Sequence, residues 1–175
     1  MGFGSDVGGS VRIPAMFSGI VALKPTAGRL PLRGQTSDGG FTGFTGLYNS
    51  PGFMARSAKD IEECAKLMLS GDAASVIKGD CRFVPLPWRD EQAKRDKPLR
   101  IGYCDFDGLL EVVPACKRGV KEAVQCLESA GHTLVPYRPS GIPKIIEMCG
   151  LLCDADEGRS MKNLLKYEQD LLTVT

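Results

Sequence analysis

From residue 57 onward, except over 72–98, apolar and polar positions recur with the periods of regular structure; before it they hardly do. Ile61, Cys64, Ala65 and Met68 recur at three- and four-residue spacing, which predicts one apolar face of a helix. Ser57 stands where an N-cap belongs, Asp60 falls at the capping-box position, and Gly71 is a natural stop. Leu99–Cys104 predicts a strand. Pro114 suits a helix start, and Cys116, Val120, Ala123, Val124 and Leu127 form a stripe over three turns. Gly131 ends that helix, and Thr133–Tyr137 predicts a further strand. Strand, helix and strand of these lengths predict a βαβ unit with parallel strands and a right-handed crossover. Pro139 and Pro143 bracket a turn. Ile142, Ile145, Ile146 and Cys149 begin another helical face, and a last helix is expected over Arg159–Leu171.

The first 52 residues carry more than half of the 21 glycines and read as loop-rich. One apolar run, Gly19-Ile20-Val21-Ala22-Leu23, suits a short buried strand stopped at Pro25. Residues 33–46 read as a surface loop. Residues 72–98 lose periodicity, and with Pro85, Pro87 and the charged run Arg89–Lys97 they read as an exposed connector.

Composition narrows the function classes. The chain has 175 residues, 43% hydrophobic and 25% charged, the proportions of a globular domain. A net charge of +1 gives no bulk field for nucleic acid or an anionic membrane. No apolar run approaches the ~18 residues of a membrane span, and no signal peptide is expected. Seven cysteines without an export signal point to reduced thiols and an intracellular setting. Cys149 and Cys153 lie four apart, but nothing completes a zinc site, so core packing is the reading.

The candidate chemistry lies in Gly4-Ser5-Asp6-Val7-Gly8-Gly9-Ser10-Val11-Arg12-Ile13-Pro14. Glycines let a backbone turn sharply and approach a bound group. In such a turn several N–H groups converge on one spot, where they stabilise an oxyanion beside a nucleophilic serine, Ser10. The usual base for a serine is a histidine. His132 is the only one, placed as a turn residue before a strand, so no Ser-His-Asp set is present. A phosphate loop is not supported either: Gly8-Gly9-Ser10 lacks the following lysine, Gly2-Phe3-Gly4 completes no dinucleotide fingerprint, and no strand is predicted ahead of it.

The residues Gly4 to Ala15 resemble the second half of the amidase signature, Gly-x-Asp-x-Gly-x-Ser-Val-Arg-x-Pro-Ala. Gly19–Thr26, running on through Arg29, looks like the family's next block. Gly52-Phe53-Met54-Ala55-Arg56 is similar to its Gly-Pro-Met-Ala-Arg block and departs from it at Phe53. Pro85–Arg89, Pro98–Tyr103 and Ala130–Tyr137 look like the animal fatty-acid amide hydrolase branch of the family.

The resemblance implies a Ser-Ser-Lys triad. Ser10 matches the nucleophile, and the N–H groups of Val7, Gly8, Gly9 and Ser10 match the oxyanion hole. Asp6 and Arg12 match signature positions and are expected to brace the loop through charge-assisted hydrogen bonds. A lysine serves as base and later acid, which burial makes feasible by lowering its pKa, and a second serine relays the proton. Both precede the signature serine in the family and match nothing here; Lys24 falls at a different motif position, and Ser5 is not the relay serine.

The fold implied is α/β, part of an α/β/α amidase-signature fold with a mixed, mainly parallel sheet. Along it, residues 1–56 would hold the nucleophile loop, 57–98 a helix and connector, 99–138 the βαβ unit, and 139–175 a helical segment. The apolar positions from Ile142 to Cys153 read as a core face, with an acyl-channel wall as the alternative. The implied function is hydrolysis of fatty-acid amides through an acyl-enzyme, with no metal and no organic cofactor. The rival is a non-catalytic truncated module acting through an exposed surface. The chain is expected to be an incomplete piece, inactive alone. For the full enzyme a homodimer stays open, and association with endomembranes would depend on regions outside these residues.

Overall fold

The computed structural model describes residues 1–32, 47–69, 83–84, 86–90, 97–159 and 162. They fall into two compact units, one built on Met1–Arg89 with the residues after Asp154, the other on Asp90–Asp154. The expected loop at 33–46, the helix stop at Gly71 and most of the helix over Arg159–Leu171 lie outside the described residues.

The first unit is a three-stranded sheet with two helices. Its strands are β1 (Gly2–Asp6), β2 (Val21–Leu23) and β3 (Ser50–Ala55), in the order β1-β3-β2 and antiparallel throughout. β1 and β3 were not legible from pattern: Gly-Phe-Gly-Ser-Asp and Ser-Pro-Gly-Phe-Met-Ala are built from residues depleted in strands. The strand that the sequence reading lacked ahead of the glycine turn is therefore present, and it is β1. Phe3 lies opposite Phe53 with ring centroids 5.4 Å apart, edge to face. The run expected as a buried strand is β2, but it is shorter, begins after Gly19 and Ile20, and lies at the sheet edge with Val21 exposed.

Helix α1 (Arg12–Phe17) follows the glycine turn, and α2 (Ala58–Met68) follows β3. Pro14 is tolerated in α1 because the first turn's N–H groups have no helical acceptor. Ser57 caps α2 as expected, its Oγ accepting from the Asp60 N–H at 3.2 Å. Ile61 and Ala65 are buried with Leu30, Phe53 and Ala55, and Leu23, Cys64, Met68, Leu69 and Trp88 pack around them. That cluster is the core of the unit.

The connector is not uniformly exposed. The Val84 N–H donates to the Gly28 carbonyl at 2.7 Å, Arg29 Nη1 donates to the Leu86 carbonyl at 2.6 Å, and Trp88 packs on the core. Charge and proline content pointed to solvent, but one indole with apolar surface to bury outweighs both.

The second unit contains β4 (Arg100–Tyr103), α3 (Pro114–Ser129), β5 (Thr133–Pro136) and α4 (Ile142–Cys153). β4 and β5 are parallel, with Ile101 opposite Leu134. A parallel pair needs a crossover, and α3 supplies it. The mainly parallel sheet expected from the resemblance is thus present only here; the larger sheet is antiparallel.

α3 has Pro114 in its first turn and ends as a Schellman motif: Gly131 (φ +87°) donates to the Glu128 carbonyl and His132 to that of Leu127. Its covered stripe is Lys117, Val120, Val124 and Leu127, while Cys116 and Ala123 of the expected stripe are exposed. On α4 the half-buried positions are Ile142, Cys149 and Leu152; Ile145 and Ile146 are exposed. No helix among the described residues is long and apolar enough to cross a membrane.

Candidate active site

β1 delivers the chain to Asp6, the turn Val7–Ser10 reverses it, and α1 begins at Arg12. Asp6 is fully buried and is the hub of this turn. Its Oδ1 accepts from the Gly9 N–H at 2.7 Å and from Arg12 Nη2 at 2.9 Å. Its Oδ2 accepts from the Val11 N–H at 3.1 Å, the Arg12 N–H at 3.3 Å and Arg12 Nε at 3.0 Å. One carboxylate thus closes the loop, satisfies the first N–H groups of α1 and pairs with a guanidinium in a bidentate fork.

These donors set its titration. The Arg12 side-chain hydrogen bonds hold the Asp6 carboxyl far below the usual carboxylate range; burial opposes them, and the three N–H groups add to them. Arg12 is raised in turn, chiefly by its hydrogen bond to Asp6. The two groups are not equally sheltered: the Arg12 side chain is 53% exposed. The arginine is the outer wall of the clamp and Asp6 the inside.

Gly9 has φ +133°, which a side chain rarely adopts, and a Cβ there would stand 2.5 Å from Ile13 Cδ1. Its N–H is committed to Asp6. Val7, Gly8 and Ser10 are exposed. Among the described residues, none of the N–H groups of Val7, Gly8, Gly9 and Ser10 donates to a backbone carbonyl.

His132, Lys24 and Ser5 have structural places. His132 Nδ1 accepts from the Leu99 N–H at 3.2 Å, joining the ends of β4 and β5. Lys24 is half-buried just after β2, and Ser5 lies within β1 opposite Pro51. Among the described residues no group of three or more His, Cys, Asp or Glu could hold a metal ion.

Pattern reading missed two further residues around the site. Ser50 is fully buried, pairs in register with Asp6, and donates from Oγ to the Pro25 carbonyl at 3.0 Å. This fixes the Lys24–Arg29 block to β3. Val11 is also fully buried, directly after the exposed Ser10. Its sequence signals are a place in the signature-like stretch and an apolar residue between two polar ones, and neither shows its burial.

A glycine turn clamped by a buried aspartate and an arginine, at the end of a strand paired with a Gly-Phe-Met-Ala-Arg strand, defines a class. The chain belongs to the amidase family, whose model, described as Amidase, matches residues 1–173. It is 36% identical over 147 residues to fatty-acid amide hydrolase 1 of Sus scrofa, covering 84% of this chain and 24% of that protein. It is 33% identical over 162 residues to an acetamidase of Aspergillus oryzae, covering 89% of this chain and 29% of that one. A solved fatty acid amide hydrolase superposes with a TM-score of 0.81 at 30% identity, over 94% of this chain and 28% of its own. A 6-aminohexanoate cyclic dimer hydrolase does so at 0.58 and 25% identity, over 78% and 28% of the two chains. The chain therefore spans between 24% and 29% of the length of these proteins.

Proposed function

We propose that Ser10 is the acylated nucleophile of a serine amidase that hydrolyses fatty-acid amides. The observation that carries this reading is the state of the turn: Ser10 is exposed, and the amides around it are not consumed by backbone carbonyls. Val7, Gly8 and Ser10 supply the N–H donors for the oxyanion. Gly9 contributes by giving its own N–H to Asp6, which holds the turn in shape.

In the reaction, Ser10 Oγ attacks the amide carbon and its proton passes to the base. The carbonyl π electrons move to oxygen, and the N–H donors stabilise the resulting charge. Collapse breaks the C–N bond, and the leaving nitrogen takes the proton from the conjugate acid of the base. Water then attacks the acyl ester by the same route, releasing the fatty acid and restoring Ser10. The base is a lysine assisted by a relay serine, both carried over from the family's Ser-Ser-Lys arrangement.

The likeness to fatty-acid amide hydrolases supports a long acyl chain. The acetamidase relative supports a second reading, a short acyl group on the same machinery. The test uses the longest polypeptide encoded by the transcript. It is treated with a fluorophosphonate and assayed on oleamide and acetamide, beside Ser10→Ala. Labelling and oleamide turnover that both vanish in the variant are expected. Acetamide turnover alone moves the substrate to the second reading. Labelling that survives Ser10→Ala removes Ser10 as nucleophile. An unreactive protein that captures a partner supports the non-catalytic module.

A further inference from the structure

Beneath the turn the sheet has a gap. Gly4 on β1 lies directly opposite Gly52 on β3, so two adjacent positions of one sheet face have no side chain. Val11 fills the place. A Cβ on Gly4 would stand 3.4 Å from Val11 Cγ2, and one on Gly52 would stand 3.2 Å from Val11 Cγ1. The gap cannot be closed from β3, because a Cβ on Gly52 would also stand 2.7 Å from the Leu23 carbonyl oxygen. Val11 has no exposed surface, yet the residue before it is exposed.

We propose that Val11, seated over Gly4 and Gly52, is a positioning residue that fixes the height of Ser10 above the sheet. This rests on the reading of Ser10 as nucleophile. Two methyl groups on a β-branched side chain meet two glycines, and valine is stiff at χ1, so the peg has little rotational play. Its backbone is held as well: the N–H donates to Asp6 Oδ2 at 3.1 Å, and the carbonyl accepts from the Ala15 N–H at 3.4 Å. The Asp6 clamp fixes the turn's shape, and the Val11 peg fixes its depth. One peptide bond separates the peg from Ser10, so a shift of the peg is passed to the hydroxyl. Reaction rates respond steeply to sub-ångström placement of a nucleophile.

The test compares shape with stability on the longest polypeptide encoded by the transcript. Fluorophosphonate labelling rate, kcat, KM and thermal midpoint are measured for Val11→Thr, Val11→Ala and Gly4→Ala/Val11→Ala. Threonine keeps the branched shape but buries a hydroxyl, so it lowers stability and labels within about threefold of wild type. Alanine lowers labelling rate and kcat by about tenfold with KM little changed. A Cβ at position 4 borders the space left by Cγ2 and raises the floor on which the turn settles, so the double variant labels faster than Val11→Ala. If Val11→Ala does not fold, Val11→Ile replaces it; the added methylene lifts the turn and slows labelling while threonine does not. Equal labelling by the threonine and alanine variants, or no recovery in the double variant, overturns the proposal. Labelling undiminished in Ser10→Ala instead overturns the reading of the nucleophile, a separate result.

Discussion

Arg12 meets the carboxylate of Asp6 side-on, with Nε 3.0 Å from Oδ2 and Nη2 2.9 Å from Oδ1. Five residues, Val7 to Val11, separate the partners, and the whole turn lies between them. The pair matters less for its Coulomb energy, since the arginine is half in water, than for the geometry it imposes. With the fork in place, each carboxylate oxygen has further capacity for the Gly9, Val11 and Arg12 N–H groups.

Replacing Asp6 by Asn removes the charge, and its amide nitrogen faces donors instead of accepting from them. A loss of about 3 kcal/mol in urea unfolding at pH 7 is expected, because only one oxygen remains and either the Gly9 N–H or the Val11 and Arg12 N–H groups lose their acceptor, along with half of the arginine fork. The pH dependence has a definite sign. The folded carboxyl titrates far below its unfolded value, so its stabilisation is complete above the ordinary aspartate pKa of about 3.9. It falls away as the pH drops below that and is gone only beneath the folded value. The wild-type minus Asp6→Asn difference should therefore be flat from pH 7 to about 5 and shrink below about 4. A difference that collapses near pH 6 would contradict this.

Gly52 and Gly131 should respond to alanine for opposite reasons. At Gly131 a Cβ meets nothing within 4 Å, but φ is +87°. The cost is conformational, about 1–2 kcal/mol. At Gly52 a Cβ would stand 2.7 Å from the Leu23 carbonyl oxygen. Strand β2 must give way, at about 2–3 kcal/mol. Asparagine separates the two: it should recover part of the loss at position 131, where it tolerates a left-handed backbone, and none at 52. Chemical denaturation of the four variants checks this.

The segment around Trp88 should act as part of the first unit. Trp88→Ala is expected to cost about 2–3 kcal/mol, below the ~3–5 of a fully buried aromatic because the indole is only partly covered. Arg29→Ala should cost about 1 kcal/mol through the lost bond to the Leu86 carbonyl. Hydrogen exchange would show the Val84 amide, bonded to Gly28, protected in wild type and faster in both variants. An unchanged Val84 rate would detach this segment from the core.

What was legible in the sequence follows from which signals are local. Ser57, Pro114 and Gly131 each act on backbone within a turn of themselves, so the ends they mark on α2 and α3 are legible locally. The βαβ unit was legible because a strand of four residues and a stripe of three turns carry their own period. β1 and β3 were not, because their pairing is a relation between residues about 50 apart, and Gly4 and Gly52 are useful for what they lack. Ser10, Asp6 and Arg12 stood out by resemblance, as neighbours in one motif. Val11 lies in the same motif, but its role and that of Ser50 are not legible there, since a valine and a serine acquire them only from Gly52 and Pro25 across the sheet. Which side of a helix is covered is also non-local, which is why Ile145 and Ile146, expected on the covered face, are exposed.

The contact between His132 and Leu99 has a practical use. Because the polypeptide holds one imidazole, its ring resonances stand alone in an NMR spectrum. They form a built-in gauge of whether the ends of β4 and β5 are still tied, readable at every step of a denaturant titration with no label added.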